Sequence, residues 1–542
     1  MTNLPNQSAA IDVCNLNVQV GGRHLIQNAD FSILRGKLTV LLGISGSGKS
    51  TILRILAGLE KPNGESDRIW WKGQIDWHSD QSQEHVGLVF QQPALLDELS
   101  AQDNVQIAID HRHPNPSKSS SLAATSTRGI GTAKWWLDHL RVPVNVRISR
   151  LSGGQRQRLS LAQTLASQPA LLIYDEPTTG LDAVTATQVA QLIRDIQQEE
   201  QVTSIVVTHD YESFIPVADQ VLMLDAINGT VGPFVASSTD SVRLEMDRQM
   251  KAKSSQQAVS SPQNSLAWMA SLAKFGVAIL MWLGSIVEWG LLGLIALIPV
   301  WRSPRWGLRF FVHFAKLVTG GTAIIYLGIA GCIIGFVSTY FTLKYMPYKL
   351  YTEPLLMEEL LGTIGFALYR IFIPVLTTVL IAARCAAAIS ADLGNKRYGG
   401  QYESLRMLGI PVDRYWMTSV MWSFLLGSLL LDQVAFMTAK FSSFIVQTQL
   451  QPELGPAFWE IYFYQSLRSP GSSLFVGFYY VMTRLLVCGF GTAIITYSLA
   501  MRPKVDATDV SRTITTTILW STLWVLFVHL VISLFEFRSP AA

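Results

Sequence analysis

Charge is scarce in this chain. Asp, Glu, Lys and Arg make up 15% of its 542 residues, against about 25% in typical globular proteins. With a mean hydropathy of +0.28, that deficit excludes a molecule that meets only water. Cysteine is scarcer still: Cys14, Cys332, Cys385 and Cys488 are scattered without metal or redox spacing, which excludes a disulfide scaffold and a zinc site and leaves reduced, buried thiols. There is no Lys/Arg block and no interleaving of basic with aromatic residues, and the net charge is only +3, so nucleic acid is excluded as a partner. The opening MTNLPNQSAA lacks the apolar core of a leader, so the first half is expected to stay in the cytosol. No internal repeat is present.

The deficit is uneven. Residues 1–264 hold 22 Lys+Arg and 26 Asp+Glu, whereas the remaining 278 hold 20 and 13. The length allows two to four domains. In the first half, residues 12–40 alternate apolar with polar around Gly21-Gly22, and TVLLG at 39–43 is a short apolar run. Helical periodicity at 51–59, 155–167 and 184–199 alternates with strand-like runs at 171–174 and 203–207. This order predicts an α/β domain with a largely parallel sheet over 1–235. HPNPSKSSSLAATSTRG at 113–129 reads as an exposed loop, the polar stretch KAKSSQQAVSSPQNS at 251–265 reads as interdomain linker, and the division is set at 236–264 for the linker and 265–542 for a second domain.

Gly43-Ile44-Ser45-Gly46-Ser47-Gly48-Lys49-Ser50 falls between a predicted strand and helix, the context of a phosphate-binding loop. Its glycines let backbone N–H groups turn toward phosphates, Lys49 reaches the β- and γ-phosphates of a nucleotide, Ser50 is suited to Mg²⁺, and Thr51 continues the loop into the helix. LLIYDEP at 171–177 ends a strand on two carboxylates: Asp175 suits the metal and Glu176 the polarisation of attacking water. LSGGQ at 151–155 places Ser152, Gly153 and Gly154 at the start of a helix, a second anion-binding terminus.

These elements resemble those of ATP-binding cassette (ABC) ATPases. Gln91 after VGLVF matches the family's Q-loop and becomes a third candidate Mg²⁺ ligand; Leu181-Asp182 matches its D-loop; His209 after SIVVT matches its switch histidine. The resemblance implies ATP with Mg²⁺ as cofactors, Glu176, His209 and Gln91 as catalytic residues, and a homodimer in which Ser152 to Gly154 of one copy close on the nucleotide held by the other. One departure is Val20, where the family has an aromatic residue that stacks on adenine.

The second half is built for a membrane. Residues 317–343 and 513–535 are free of charge and long enough to cross a bilayer, and further spans are predicted at 360–391, 415–445 and 474–501. The Trp-rich stretch 275–301 around Glu288 fits either another span or a helix lying in the interface; the interfacial reading is preferred because it leaves five spans and a consistent charge pattern. That topology puts 4, 4 and 3 Lys/Arg in the loops on the ATPase side (302–316, 392–414, 502–512), against 2 and 1 on the other (344–359, 446–473).

ADLGNKRYGGQYESLRMLGIPVDRY at 391–415 and VSRTITTTILWS at 510–521 resemble the MlaE family of permeases, which belong to MCE-associated systems that move phospholipid between membranes. The resemblance implies a multi-pass protein of the bacterial inner membrane, an extracytoplasmic MCE-type partner, transmission of ATPase closure through 392–414, and Arg370 as a candidate headgroup contact. It departs where the family's Arg-Glu-Leu-Gly-Pro is Arg370-Ile371-Phe372-Ile373-Pro374, and where acidic positions hold Gly400 and Arg406. An ABCG-like exporter and a non-transporting signalling or mechanotransmission ATPase are the alternatives; the first would lack the 391–415 motif, and the second would carry a large outer domain.

Overall fold

The computed structural model describes residues 9–44, 46–60, 62, 69–78, 86–112, 131–144, 146–180, 182–234, 239–256, 288–345, 349–468, 474–504 and 506–538. The loop expected at 113–129, residues 236–238 and 257–264 of the expected linker, and 275–287 of the Trp-rich stretch lie outside them. The chain divides into two compact units: Met1–Ala267 with Gly399–Pro411, and Trp268–Tyr398 with Val412–Ala542.

The first unit runs β1 (Ala9–Val20), β2 (Arg23–Leu34), β3 (Leu38–Leu42), α1 (Lys49–Leu56), β4 (Ile69–Trp77), β5 (Val86–Val89), α2 (Ala101–His111), α3 (Ala133–His139), α4 (Gly153–Ala166), β6 (Leu171–Asp175), α5 (Ala183–Glu200), β7 (Thr203–Thr208), α6 (Tyr211–Phe214), β8 (Gln220–Asp225), β9 (Thr230–Pro233) and α7 (Thr239–Gln256). Every residue of β3, β5 and β7 is buried, and their apolar runs VLL, VGLV and IVV fit strands covered on both faces. They lie in a six-stranded sheet of order β5-β6-β7-β3-β8-β9, parallel except for β9. The amphipathic β1 and β2 form an antiparallel sheet with β4, in the order β2-β1-β4.

The helices start where the sequence supplies caps. Ser152 and Gln155 form a reciprocal capping box at α4, and the Asp182 carboxylate accepts from the Thr185 N–H at α5.

In the second unit, residues 288–296 are helical and Glu288 is exposed. Then follow α8 (Pro304–Thr319), α9 (Gly321–Lys344), α10 (Lys349–Ala367), α11 (Ile373–Leu380) and α12 (Ala386–Tyr398); short π-helical turns at Leu368–Phe372 and Ile381–Cys385 join α10 to α11 and α11 to α12. The connecting α13 (Gln401–Met407) belongs to the first unit, and the second resumes with α14 (Val412–Leu450), α15 (Gly455–Phe463), α16 (Phe478–Ala500) and α17 (Ala507–Arg538). Five stretches among the described residues are long and apolar enough to cross a membrane: Pro304–Lys344, Leu356–Tyr398, Val412–Leu450, Phe478–Ala500 and Ala507–Glu536. Each predicted span has its counterpart.

Many large apolar side chains on these helices are exposed, Ile325, Ile333, Phe441 and Phe535 among them, as lipid-facing surfaces require. Between helices the packing is close. Gly331 and Gly335 of α9 face the backbone of Ala435 and Ala439 on α14, and a Cβ at either glycine would collide with it.

Candidate active site

The phosphate loop joins β3 to α1. Gly46 and Gly48 have φ of 69° and 107°, values an L side chain resists, so glycine is what allows the chain to turn its N–H groups inward before α1. A Cβ at Gly43 would lie 3.1 Å from the Ser47 hydroxyl oxygen and 3.3 Å from Leu224. Lys49 is buried, its ammonium donating to the carbonyls of Gly43 (2.8 Å) and Ile44 (3.0 Å). The Ser47 hydroxyl is buried without a hydrogen-bond partner, and such an orphan in a glycine cradle fits a loop made to receive an anion. Ser50 and Thr51 lie in the first turn of α1, while Ser45 lies outside the described residues.

The Ser50 hydroxyl donates to Asp175 Oδ1 at 3.1 Å, which brings together two of the three candidate Mg²⁺ ligands from residues 125 positions apart. Burial pushes the Asp175 carboxyl above its ordinary range, and the Glu176 charge adds to this, while the Ser50 hydroxyl, Lys49 and Arg54 pull it back. Next to it, Glu176 has φ of 46°, an uncommon conformation for a residue with a side chain, fixed by the bond from its N–H to the Val207 carbonyl. Its Oε2 accepts from the Thr179 hydroxyl at 2.8 Å, lies 3.2 Å from His209 Nδ1, and is 3.5 Å from Gln91 Nε2. The three catalytic candidates, from the ends of β5, β6 and β7, therefore converge on one carboxylate. Thr179 had not been singled out; its only signal in the sequence is its place between the acid pair and the D-loop. Asp182 is held below its ordinary value by the Thr185 hydroxyl and N–H, whereas Leu181 lies outside the described residues.

Ser152, Gly153 and Gly154 begin α4. Extra Cβ atoms at Gly153 and Gly154 would meet nothing within 4 Å, so packing within the chain does not ask for glycine there. At the other position of interest, Val20 pairs with Arg23 at the tip of the β1–β2 hairpin. Gly400 has φ of 72°, with Phe90, the neighbour of Gln91, and Ala94 at 3.6 and 3.9 Å from where its Cβ would stand. Met407 of α13 packs against the core of the same unit. The left-handed backbone there is the physical reason for glycine where an acidic residue was expected.

In the second unit Arg370 is buried on the first π-helical turn. Its guanidinium is bonded to Glu536 near the end of α17, and Arg484 of α16 binds the same carboxylate while donating to the Arg370 carbonyl at 2.6 Å and to Ser533 at 3.0 Å. Glu536 was not anticipated, because it follows directly on an apolar run and its partners lie on two other helices. Of the other charges, Arg384 donates to the Thr322 hydroxyl and Lys440 lies over the Tyr464 ring.

Comparison with known proteins agrees with both halves of this description. The ABC transporter family model matches residues 26–179, and the permease MlaE model matches residues 311–535. A sulfate/thiosulfate import ATP-binding protein CysA from Synechocystis sp. is 36% identical over 227 residues, covering 41% of this chain and 59% of that protein. The corresponding probable protein of Chlorella vulgaris is 34% identical over 217 residues, 40% of this chain and 87% of its own. The chain thus spans about 59% of the length of the first of these curated relatives. Among solved structures, cbiO1 from Clostridium perfringens, part of an ABC transporter complex, aligns at 25% identity with a TM-score of 0.36, over 45% of this chain and 95% of that one. A cradle for phosphates, an acid pair facing a histidine and a glutamine, and a helical half that matches a permease make this chain a member of the ABC transporter family, an ABC transporter domain and a permease MlaE domain in one polypeptide.

Proposed function

We propose that the chain is an ATP-driven transporter of phospholipid or a related lipid, working as a homodimer in a bacterial inner membrane with its ATPase on the cytosolic side. The observation that carries this reading is the match of residues 311–535 to permease MlaE. The relatives named for sulfate and thiosulfate import are ATP-binding proteins that match 227 and 217 residues of this chain, about the size of its first unit. Cargo is chosen by a permease, so their names bear on the ATPase and not on what crosses here.

The second unit's own chemistry favours a lipid. Two guanidiniums, Arg370 and Arg484, face one carboxylate, Glu536, which leaves one positive charge near the start of α16 and the end of α17. That suits an anionic headgroup whose tails take apolar walls; a dehydrated dianion such as sulfate needs many more donors. In the first unit, Lys49 and the loop amides hold the triphosphate of ATP, Ser50, Asp175 and Gln91 hold Mg²⁺, and Glu176 takes the proton of the attacking water with His209 and Thr179 fixing its carboxylate. The metal, when bound, screens the phosphate charge. Ser152, Gly153 and Gly154 of a second copy close over that ATP, which gives those glycines the close approach their own chain does not require. Residues 392–414 pass the closure to the permease, and an extracytoplasmic MCE-type protein is the partner for lipid at the outer face.

The test is direct. The purified full chain retains phospholipid through extensive detergent washing, detected by mass spectrometry, and its ATPase activity rises with added phospholipid but not with sulfate. Stimulation by sulfate, with lipid retention no greater than that of an unrelated membrane protein, would overturn the lipid assignment.

A further inference from the structure

The second unit buries one carboxylate for which the transport reading has no use. Asp432 stands at the middle of α14 and is 2% exposed, and its Oδ1 is buried without a hydrogen-bond partner. Thr377 of α11 is fully buried beside it, with its hydroxyl directed at the Asp432 carboxylate. Each residue lies at the centre of its own span, Val412–Leu450 and Leu356–Tyr398, so a hydroxyl and a carboxylate with one unsatisfied oxygen meet at mid-membrane depth.

What surrounds them is apolar. Ala435 and Phe436 of α14, Ile373 of α11, and Val481 and Leu485 of α16 form one core cluster, with Leu429 and Leu376 packed against it. Among the titratable groups on the packed elements, Tyr369 of the first π-helical turn is near the carboxylate; Arg484 of α16 is committed to Glu536 and the Arg370 carbonyl; Cys332 of α9 donates to the Thr438 carbonyl; and Lys440, two turns along α14, lies 5.9 Å from the Tyr464 ring centre. On α11 the next residue, Thr378, turns to the other side and meets His529 of α17 at 2.8 Å. No ion pair to Asp432 exists among the described residues.

An acidic group with no positive partner in such surroundings is costly, and helices that keep one use it. The flanking π-helical turns, Leu368–Phe372 and Ile381–Cys385, leave α11 bounded at both ends by irregular turns of the kind found at functional positions.

We propose that Asp432 and Thr377 form a mid-membrane site for one small monovalent cation, either a proton or an alkali ion, whose occupancy is coupled to ATP hydrolysis. The proposal rests on the reading of the second unit as a membrane permease. It goes beyond that reading by adding an ion to the cycle.

Dicyclohexylcarbodiimide, which enters apolar sites and reacts with protonated carboxyls, is the probe. The full chain in phospholipid nanodiscs is treated, and peptide mass spectrometry locates the adduct. An adduct is expected at Asp432 and not in Asp432→Asn. Suppression by raising the pH alone identifies a proton site, and suppression by Na⁺ or K⁺ against choline at fixed pH identifies an alkali-ion site. Thr377→Val, which keeps the carboxyl, is expected to weaken that suppression.

Lipid-stimulated ATPase of the parent is expected to change by at least about fivefold with the effective ion, the lower end of coupling between linked sites, and that dependence is lost in Asp432→Asn. Retained binding of a fluorescent ATP analogue by Asp432→Asn certifies its fold. No adduct at Asp432, an adduct indifferent to both pH and alkali ions, or an ATPase whose ion dependence survives Asp432→Asn would each overturn the proposal. Loss of lipid stimulation in the parent would instead sink the permease reading on which it rests.

Discussion

Glu176 gathers the candidate hydrolytic site because the strand ends of β7 and β5 deliver His209 and Gln91, and the turn after β6 delivers Thr179, to one carboxylate oxygen. Replacing it with Gln keeps the shape and removes the proposed base. Hydrolysis by Glu176→Gln is expected to fall by about 10²–10⁴-fold, the usual worth of a positioned base, while binding of a fluorescent ATP analogue stays near the parent's. Phosphate release within threefold of the parent would take Glu176 out of that role. A second carboxylate, Asp219, has a structural task. It accepts from Arg194 at 2.6 and 3.1 Å and from the Leu38 N–H at 2.9 Å, tying α5 to the start of β3. Burial pushes its carboxyl up, but these donors together with Lys37 outweigh burial and hold it below the ordinary value. A carboxyl lowered in the folded state stabilises the fold above its unfolded pKa, and that contribution is lost as pH falls through the folded value. Asp219→Asn is therefore expected to cost about 1–3 kcal/mol at neutral pH, read as a lower unfolding midpoint of the full chain. The gap between variant and parent should close below pH of about 4. A gap that widens on acidification would contradict this account.

At the level of elements, legibility followed locality. The phosphate loop, the acid pair and the signature each occupy a few consecutive residues, and the five spans declare themselves through apolar runs, so both the α/β order and the helical half could be read from the chain. The sequence could not reveal contacts that join distant elements. The Arg370–Glu536–Arg484 cluster draws on three helices, and the π-helical turns around Arg370 and Arg384 have no compositional mark. Gly400 is the instructive case, because a departure from the resembled family became intelligible only through its φ of 72° and its approach to Phe90. Gly400→Val would strain that turn and press on the ring beside Gln91. The variant is expected to bind ATP like the parent but to lose most of its stimulation by phospholipid, measured as the ratio of ATPase rates with and without lipid. An unchanged ratio would remove α13 from the path of coupling.

For the molecule as a whole, the decisive question is whether one chain contains a working site. Lys49 lies in the phosphate loop and Gly154 at the start of α4. If the site is composite, with the loop from one copy and the signature from the other, then Lys49→Ala and Gly154→Asp spoil different halves of it. Each variant alone has no intact site. A mixed dimer has one site with both defects and one with neither, because the Gly154→Asp copy still supplies a sound loop and the Lys49→Ala copy a sound signature. Random pairing makes half the dimers mixed, so co-expressed variants are expected to trap about a quarter of the parental nucleotide, whereas separately purified variants trap almost none. Two self-sufficient monomers predict no recovery at all, since every chain would carry a fatal change in its own site. Differently tagged variants purified through both tags enrich the mixed dimer and should raise trapping to about half of the parental amount. Absence of recovery in that doubly selected sample would refute the head-to-tail arrangement, and with it the explanation of why Gly153 and Gly154 leave open space that their own chain never fills.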